Sequence, residues 1–291
     1  MTLGRSSAEE IESGVPHPFR EAKGWGAATT KTGGPPLSVT IVALNEERTI
    51  ADVLAPAAEL ADEIVFLDSG STDRTIEIAQ RFGVRLYHQP WLGYSEQKNK
   101  ALDLAQGEWI LSLDADEVMP PTLVAEIRRL LRAGIPADIA GFRIPRMLFI
   151  GEAPVRRGGF YPDAQLRLIR KGRGRFCPRL VHESITVEGK VAKLKHDLLH
   201  YAYKDVDEFA QAMDHYARLS AQHYFEQRSR WRGHPVNEVL HPLWTLFYRQ
   251  IVRGGLLGGP LCWRLNRIYA DYVRKKVLYL RQLQDAGRFL G

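Results

Sequence analysis

Three short apolar runs, each ending abruptly in charged or amide side chains, constrain this chain more than any other feature. Residues 37–44 run into Asn45-Glu46-Glu47, residues 63–67 end at Asp68, and residues 109–113 end at Asp114-Ala115-Asp116-Glu117. An apolar run of that length, rich in β-branched residues and without polar alternation, reads as a strand buried on both faces. Helical patterns at 50–60, 74–82 and 98–105 and a further strand at 84–88 fill the gaps. Strands alternating with helices at this spacing predict an α/β fold: a Rossmann-like, mostly parallel sheet flanked by helices on both faces. In such sheets ligands bind beyond the carboxyl ends of the strands, where Asn45, Glu46, Asp68, Asp114 and Asp116 all fall.

Outside this block the pattern changes. Residues 1–36 are rich in Gly, Ser, Thr and Pro, lack periodicity, and are expected to be a disordered leader. After Pro120 a helix is expected at 121–133 and a strand at 165–170. From 205 onward the chain reads as helical, with breaks near Gly233-His234-Pro235 and at 254–260. No apolar stretch approaches the roughly twenty residues that span a bilayer, and the first residues form no secretory signal. Cys177 and Cys262 are the only cysteines and stand far apart, which excludes a disulfide framework and a zinc knuckle and makes the cytosol the expected compartment.

The net charge of +6 is unevenly spread. Residues 156–179 hold eight basic side chains against Asp163 alone, and residues 241–291 hold nine against Asp271 and Asp285. Two basic districts on an otherwise acidic body predict anionic partners at defined places, not a nucleic-acid coat; no nucleic-acid partner is expected.

The chemistry centres on Asp114-Ala115-Asp116. Two carboxylates at the end of a buried strand suit a hard divalent cation such as Mg²⁺ or Mn²⁺, which keeps open positions for phosphate. A departing diphosphate needs that neutralisation, because charge builds on it as its bond breaks. A dinucleotide-binding oxidoreductase is excluded at the first strand, where Asn45-Glu46-Glu47 stands in place of a G-x-G-x-x-G turn.

Taken together, Val42-Ala43-Leu44-Asn45-Glu46, Leu67-Asp68-Ser69-Gly70-Ser71-Thr72-Asp73-Arg74-Thr75 and Leu113-Asp114-Ala115-Asp116-Glu117 resemble family 2 glycosyltransferases of the GT-A fold. The likeness continues through residues 91–100, 161–168, His182-Glu183 and His200-Tyr201, and looks like the lipopolysaccharide-core branch that adds glucose to an inner-core heptose. The resemblance implies a catalytic domain over 37–204, with a donor half at 37–120 and an acceptor half at 121–204, followed by a helical segment at 205–291. It implies that Asn45, Glu46, Asp68, Ser69, Lys98 and Asp114 bind a UDP-sugar, and that Asp116, with Asp114 and His200, holds the metal. His196 would compete with His200 if that segment were helical. Glu183 would be the general base of an inverting transfer, with Asp163 in reserve. Arg167, Arg170 and Arg179 would read the phosphate and carboxylate groups of a lipid-linked glycan acceptor.

The C-terminal segment interleaves aromatic and basic residues. Leu265, Tyr269, Val273, Val277 and Leu280 recur there at helical spacing. Such a stripe can lie against an anionic membrane surface, placing the protein peripherally at the inner face of the cytoplasmic membrane, or pack on the catalytic domain or on a second copy in a homo-oligomer. Gln227-Arg228-Ser229-Arg230-Trp231 fits the Q-x-x-R-W pattern of processive synthases, but those enzymes carry membrane spans, so the match is read as chance. The competing functional readings are a family 2 transferase acting on an exopolysaccharide or other lipid carrier, and a non-catalytic surface-binding module.

Overall fold

The computed structural model describes residues 30–177, 184–227 and 234–288. Four parallel strands, β1 (Leu37–Ala43), β2 (Glu63–Asp68), β3 (Arg85–His88) and β4 (Trp109–Asp114), alternate with helices α1 (Ile50–Leu60), α2 (Thr75–Gln80) and α3 (Tyr94–Leu104). Helix α3 begins four residues before the apolar pattern that predicts it, because its first turn buries the polar side chains of Ser95 and Gln97.

After β5 (Glu117–Val118) and α4 (Pro121–Ala133), the chain adds β6 (Ile139–Ile144), β7 (Arg146–Ile150), β8 (Ala153–Pro154), β9 (Gln165–Arg170), β10 (Gly174–Phe176), β11 (Ile185–Val187), β12 (Lys190–Lys193) and β13 (Leu198–Tyr203). The main sheet has seven strands in the order β12-β6-β9-β4-β1-β2-β3, with β9 antiparallel to both its neighbours. A second sheet, β5-β13-β7-β8, and the hairpin β10-β11 stand apart from it. Neither was legible from sequence, because their strands are short and half-exposed and show no long apolar run.

The period of two in β1, β2 and β4 explains their continuous hydrophobicity. Val39, Ile41, Ile64, Phe66, Trp109, Leu111 and Leu113 point to one face, where α1 and α4 supply Leu54, Leu60, Leu123 and Ile127. Val65 and Ile110 point to the other, against Leu102 and Ala105 at the end of α3. Both faces are covered, so every residue of β2 is buried.

The last residues of the expected leader make contacts with the domain. Thr32 is buried, Lys31 donates its backbone N–H to Asp62 at 2.6 Å, and Arg132 donates to the Thr32 carbonyl. Residues 30–36 are thus part of the folded domain.

The C-terminal half consists of α5 (Val206–Glu226), α6 (Pro235–Phe247), a π-helical turn (Tyr248–Val252), a 3-10 turn (Gly255–Gly258) and α7 (Gly259–Arg288). Phe209, Met213 and Ala217 of α5 and Leu265 and Tyr272 of α7 pack against Ile150 and Val155 of the second sheet's edge. The stripe expected to meet a membrane therefore faces inward: Leu265, Val277 and Leu280 are buried, and Tyr269 and Val273 pack against the same cluster. Among the described residues no helix is long and apolar enough to cross a membrane. Of the Q-x-x-R-W match, residues 228–231 lie outside the described part.

Candidate functional site

The register of the parallel strands brings the three acidic termini together. Ala43 pairs with Asp68 and Val42 with Asp114, so Asp68 and Asp114 cap strands on either side of β1. Two strand spacings separate them, roughly 10 Å.

The loops after β1 and β2 clamp each other. Asn45 adopts φ 57°, a left-handed conformation that its short amide side chain tolerates. Its Oδ1 accepts from the Thr72 N–H at 2.8 Å, while its own N–H donates to Ser71 Oγ at 3.0 Å. Asp68 is buried and accepts from the N–H groups of Gly70 at 2.8 Å and Ser71 at 3.1 Å, curling its own loop around the carboxylate. Ser69 Oγ accepts from Gln97 at 3.0 Å, which ties this loop to α3. Asn45, Asp68 and Ser69 thus shape one rim at the carboxyl ends of β1 and β2.

Glu46 lies between the β1 loop and the β4 loop. The Thr49 hydroxyl stands 3.2 Å from Glu46 Oε2 and 2.9 Å from the Ala115 carbonyl. Burial, reinforced by the charge of Asp116, pushes the Glu46 carboxyl up to about 7.

Asp114 is neutralised from two sides. Its Oδ1 meets Lys98 Nζ at 2.6 Å, and its Oδ2 accepts from Arg167. Arg167 also donates to Glu117 Oε1, which takes a further hydrogen bond from Arg146 at 3.0 Å; Glu117 Oε2 accepts the Asp114 N–H at 3.1 Å. Burial alone would raise the Asp114 carboxyl, but the Arg167 guanidinium and the Lys98 ammonium outweigh it and hold the group well below the usual carboxylate range. Burial would likewise lower Arg167, and the two carboxylates around it drive it upward instead.

This geometry bears on three expectations. Arg167 is not on an acceptor surface. It is buried behind Asp114, since alternation along β9 turns its side chain into the site. Asp114 has both oxygens engaged by cations, so it presents no free oxygen to a metal. Arg170 is displaced too: β9 runs antiparallel to β4, and Arg170 pairs with Trp109 at the opposite end of that strand from Asp114. It stacks over Trp109 with its guanidinium 5.0 Å from the ring centre and bonds Glu108 at 3.2 Å. Five residues of strand, roughly 17 Å, keep it from the site. Arg179 and Glu183 lie outside the described residues.

Asp116 differs from Asp114. Its Oδ2 stands 3.2 Å from His200 Nε2, while its Oδ1 is buried with no hydrogen-bond partner among the described residues. His200 reaches it because β13 pairs antiparallel with β5, opposing His200 to Glu117, and because the Tyr201 N–H donates to the Asp116 carbonyl at 2.9 Å. His196 does not compete. The two do not share a helix: His196 lies in the bend before strand β13, which carries His200, and the His196 ring stands 2.8 Å from Glu126 of α4.

A buried carboxylate oxygen without a donor suits a cation; carboxylate oxygen is a ligand for either Mg²⁺ or Mn²⁺, and a neighbouring imidazole fits the softer Mn²⁺ better. Among the described residues no three His, Cys, Asp or Glu side chains gather into a cage. Asp116 and His200 would leave the remaining positions to phosphate oxygens and water, which is how such ions are held at phosphate sites.

Asp163 is engaged on both oxygens. Arg146 donates to Oδ2, with Nε at 3.0 Å, and Gln165 donates to Oδ1 at 2.6 Å. Arg146 therefore bridges Asp163 to Glu117 across the floor of the site. Sequence reading missed Arg146 and Glu117 as site residues. Glu117 had a signal, three residues after Asp114 in the acidic turn. Arg146, a single arginine entering a short strand, had none.

Comparisons with known proteins bear on the family and the fold. Residues 38–176 match the family model described as glycosyl transferase family 2. Over 253 residues the chain is 33% identical to the lipopolysaccharide core biosynthesis glycosyltransferase LpsC of Rhizobium meliloti, covering 83% of this chain and 92% of that one. An uncharacterized glycosyltransferase of Rickettsia felis is 27% identical over 227 residues, covering 75% of this chain and 79% of that one. Among solved structures, the mannosyltransferase PcManGT of Pyrobaculum calidifontis, in complex with GDP-Man and Mn²⁺, shares the fold with TM-score 0.51 at 16% identity, over 90% of this chain and 91% of that one. Acidic strand ends gathered on a GT-A sheet, and this likeness along most of the length, identify the chain as a member of the family 2 glycosyltransferases.

Proposed function

We propose that the enzyme transfers a hexose, glucose in the first instance, from a UDP-sugar to a lipid-linked glycan of the lipopolysaccharide inner core. It would work at the inner face of the cytoplasmic membrane, with inversion at the anomeric carbon. The observation that carries the metal-dependent part is the buried, unpartnered Oδ1 of Asp116 beside His200. A divalent cation bound there would neutralise the diphosphate as it leaves.

The chain's own residues would do the rest. The clamp of Asn45, Asp68 and Ser69 would hold the nucleoside end, with Glu46 beside it. Asp114, locked by Lys98 and Arg167, would hold the Lys98 ammonium in place on the donor side of the site. Glu183 would take the proton from the acceptor hydroxyl as its oxygen bonds to the anomeric carbon and the bond to the diphosphate breaks. Asp163 is the second candidate for that proton, and both its oxygens already accept hydrogen bonds, from Arg146 and Gln165.

UDP release across a panel of nucleotide sugars, with and without Mg²⁺ or Mn²⁺ and with core lipid as acceptor, tests the reading. UDP-glucose preference and metal dependence are expected, and Asp116→Ala should remove both turnover and the metal response. Release from a CDP- or dTDP-sugar alone would overturn the donor assignment. Undiminished transfer by the Asp116→Ala variant would overturn the metal role.

A further inference from the structure

Helix α6 is amphipathic the wrong way round for a helix on a water-facing surface. Polar groups hold its inner side against α7: Asn237 is buried and Glu238 bonds Arg281 at 2.8 Å. Its outer face is apolar. Leu240, Leu243, Trp244 and Phe247 recur at the spacing of one helical stripe, and all are exposed, Trp244 by 64%.

The stripe continues past the helix. Gly254 (φ 65°) and Gly259 (φ 75°) take left-handed conformations on either side of the 3-10 turn, and between them Leu256 and Leu257 project, 58% and 76% exposed. A contiguous apolar face of this extent on a folded protein marks a surface that is covered in use.

Charge decides what covers it. No acidic residue occurs between Glu238 and Asp271; Arg253 is exposed in that stretch, and the exposed Arg157 lies against Gly254 and Gly258 of the turn. A second copy docking face to face would set these arginines against themselves, since a two-fold interface opposes identical patches. An anionic bilayer instead matches the apolar stripe and the cations together, with tryptophan at headgroup depth.

We infer that α6 and the Leu256-Leu257 turn form an in-plane membrane anchor that binds an anionic lipid surface. This deepens the lipid-linked part of the function proposed above. It stands apart from the donor and metal assignments, so vesicle binding and nucleotide-sugar turnover can fail separately.

Flotation of the full chain with vesicles tests it, using phosphatidylcholine alone and phosphatidylcholine with about a quarter phosphatidylglycerol. Binding to the anionic vesicles is expected, with weakening at high salt and a blue shift of tryptophan emission. The double variant Leu256→Ser/Leu257→Ser should partition about tenfold more weakly or worse, with its thermal midpoint unchanged because both side chains are exposed. Arg253→Glu should lose preference for the anionic vesicles while the turn stays intact. Parent protein that ignores anionic vesicles, or a double variant that binds like the parent, would overturn the inference. So would a dimer in solution that Leu257→Asp splits into monomers.

Discussion

Replacing Arg167 with Met separates a buried scaffold from an acceptor-reading surface. Arg167 is 7% exposed in its side chain and serves two carboxylates, Asp114 and the fully buried Glu117. Removing one partner of a buried ion pair costs about 3–5 kcal/mol, because the charge left behind has lost its compensation. Here each carboxylate retains a cation: Lys98 stays 2.6 Å from Asp114, and Arg146 stays 3.0 Å from Glu117. The loss should therefore fall near the lower bound, about 3 kcal/mol, or a drop of about 6–12 °C in thermal midpoint for a domain of this size. Adding Glu117→Gln should cost less in the Arg167→Met background than in the parent, with a coupling of about 1–3 kcal/mol in a double-mutant cycle. The pH response has a definite sign. Asp114 is depressed in the folded protein, so its stabilisation is present above its unfolded value and is lost as pH falls through its folded value. In Arg167→Met that loss should begin at higher pH. Calorimetry of the parent, the two single variants and the double variant reads all of this. A midpoint within about a degree of the parent, with a raised acceptor KM as the only change, would refute the scaffold role and restore Arg167 to the acceptor surface.

Other outcomes follow from the same geometry. Asn45→Ala should cost about 1–3 kcal/mol and raise the donor KM, because alanine tolerates the left-handed conformation poorly and leaves the Thr72 N–H unpaired; Asn45→Gly should recover the backbone part only, as urea titration would show. Glu46 titrates at about 7 in the folded protein against an ordinary 4.5, so the fold binds the extra proton in that window and loses stability as pH rises through it, levelling off above. Glu46→Gln should flatten that slope in a series of midpoints against pH. Glu183→Gln should abolish transfer while leaving donor binding by calorimetry near the parental value, and Asp163→Asn should act first on stability through Arg146; the reverse pattern would make Asp163 the base.

Local patterning carried much of the fold. The buried runs of β1, β2 and β4, their alternation with helices, and the acidic residues at their ends are consequences of neighbouring residues, and sequence displays neighbours directly. The placing of Asn45, Asp68 and Asp116 at neighbouring strand ends was legible for that reason, and the likeness to a known family rests on the same segments. The rest depended on pairings between distant segments. His200 reaches Asp116 because β13 pairs with β5 across some eighty residues of chain. Arg167 and Arg170 part company because β9 runs antiparallel to β4, which turns one into the site and carries the other to its far end. The helical stripes show the limit most plainly. Periodicity marks α6 and α7 equally as amphipathic, but it does not say which side meets protein: α7 turns its stripe inward against α5, and α6 turns its own outward. A repeat records that a helix has two faces, while the choice between them belongs to whatever the folded chain sets alongside.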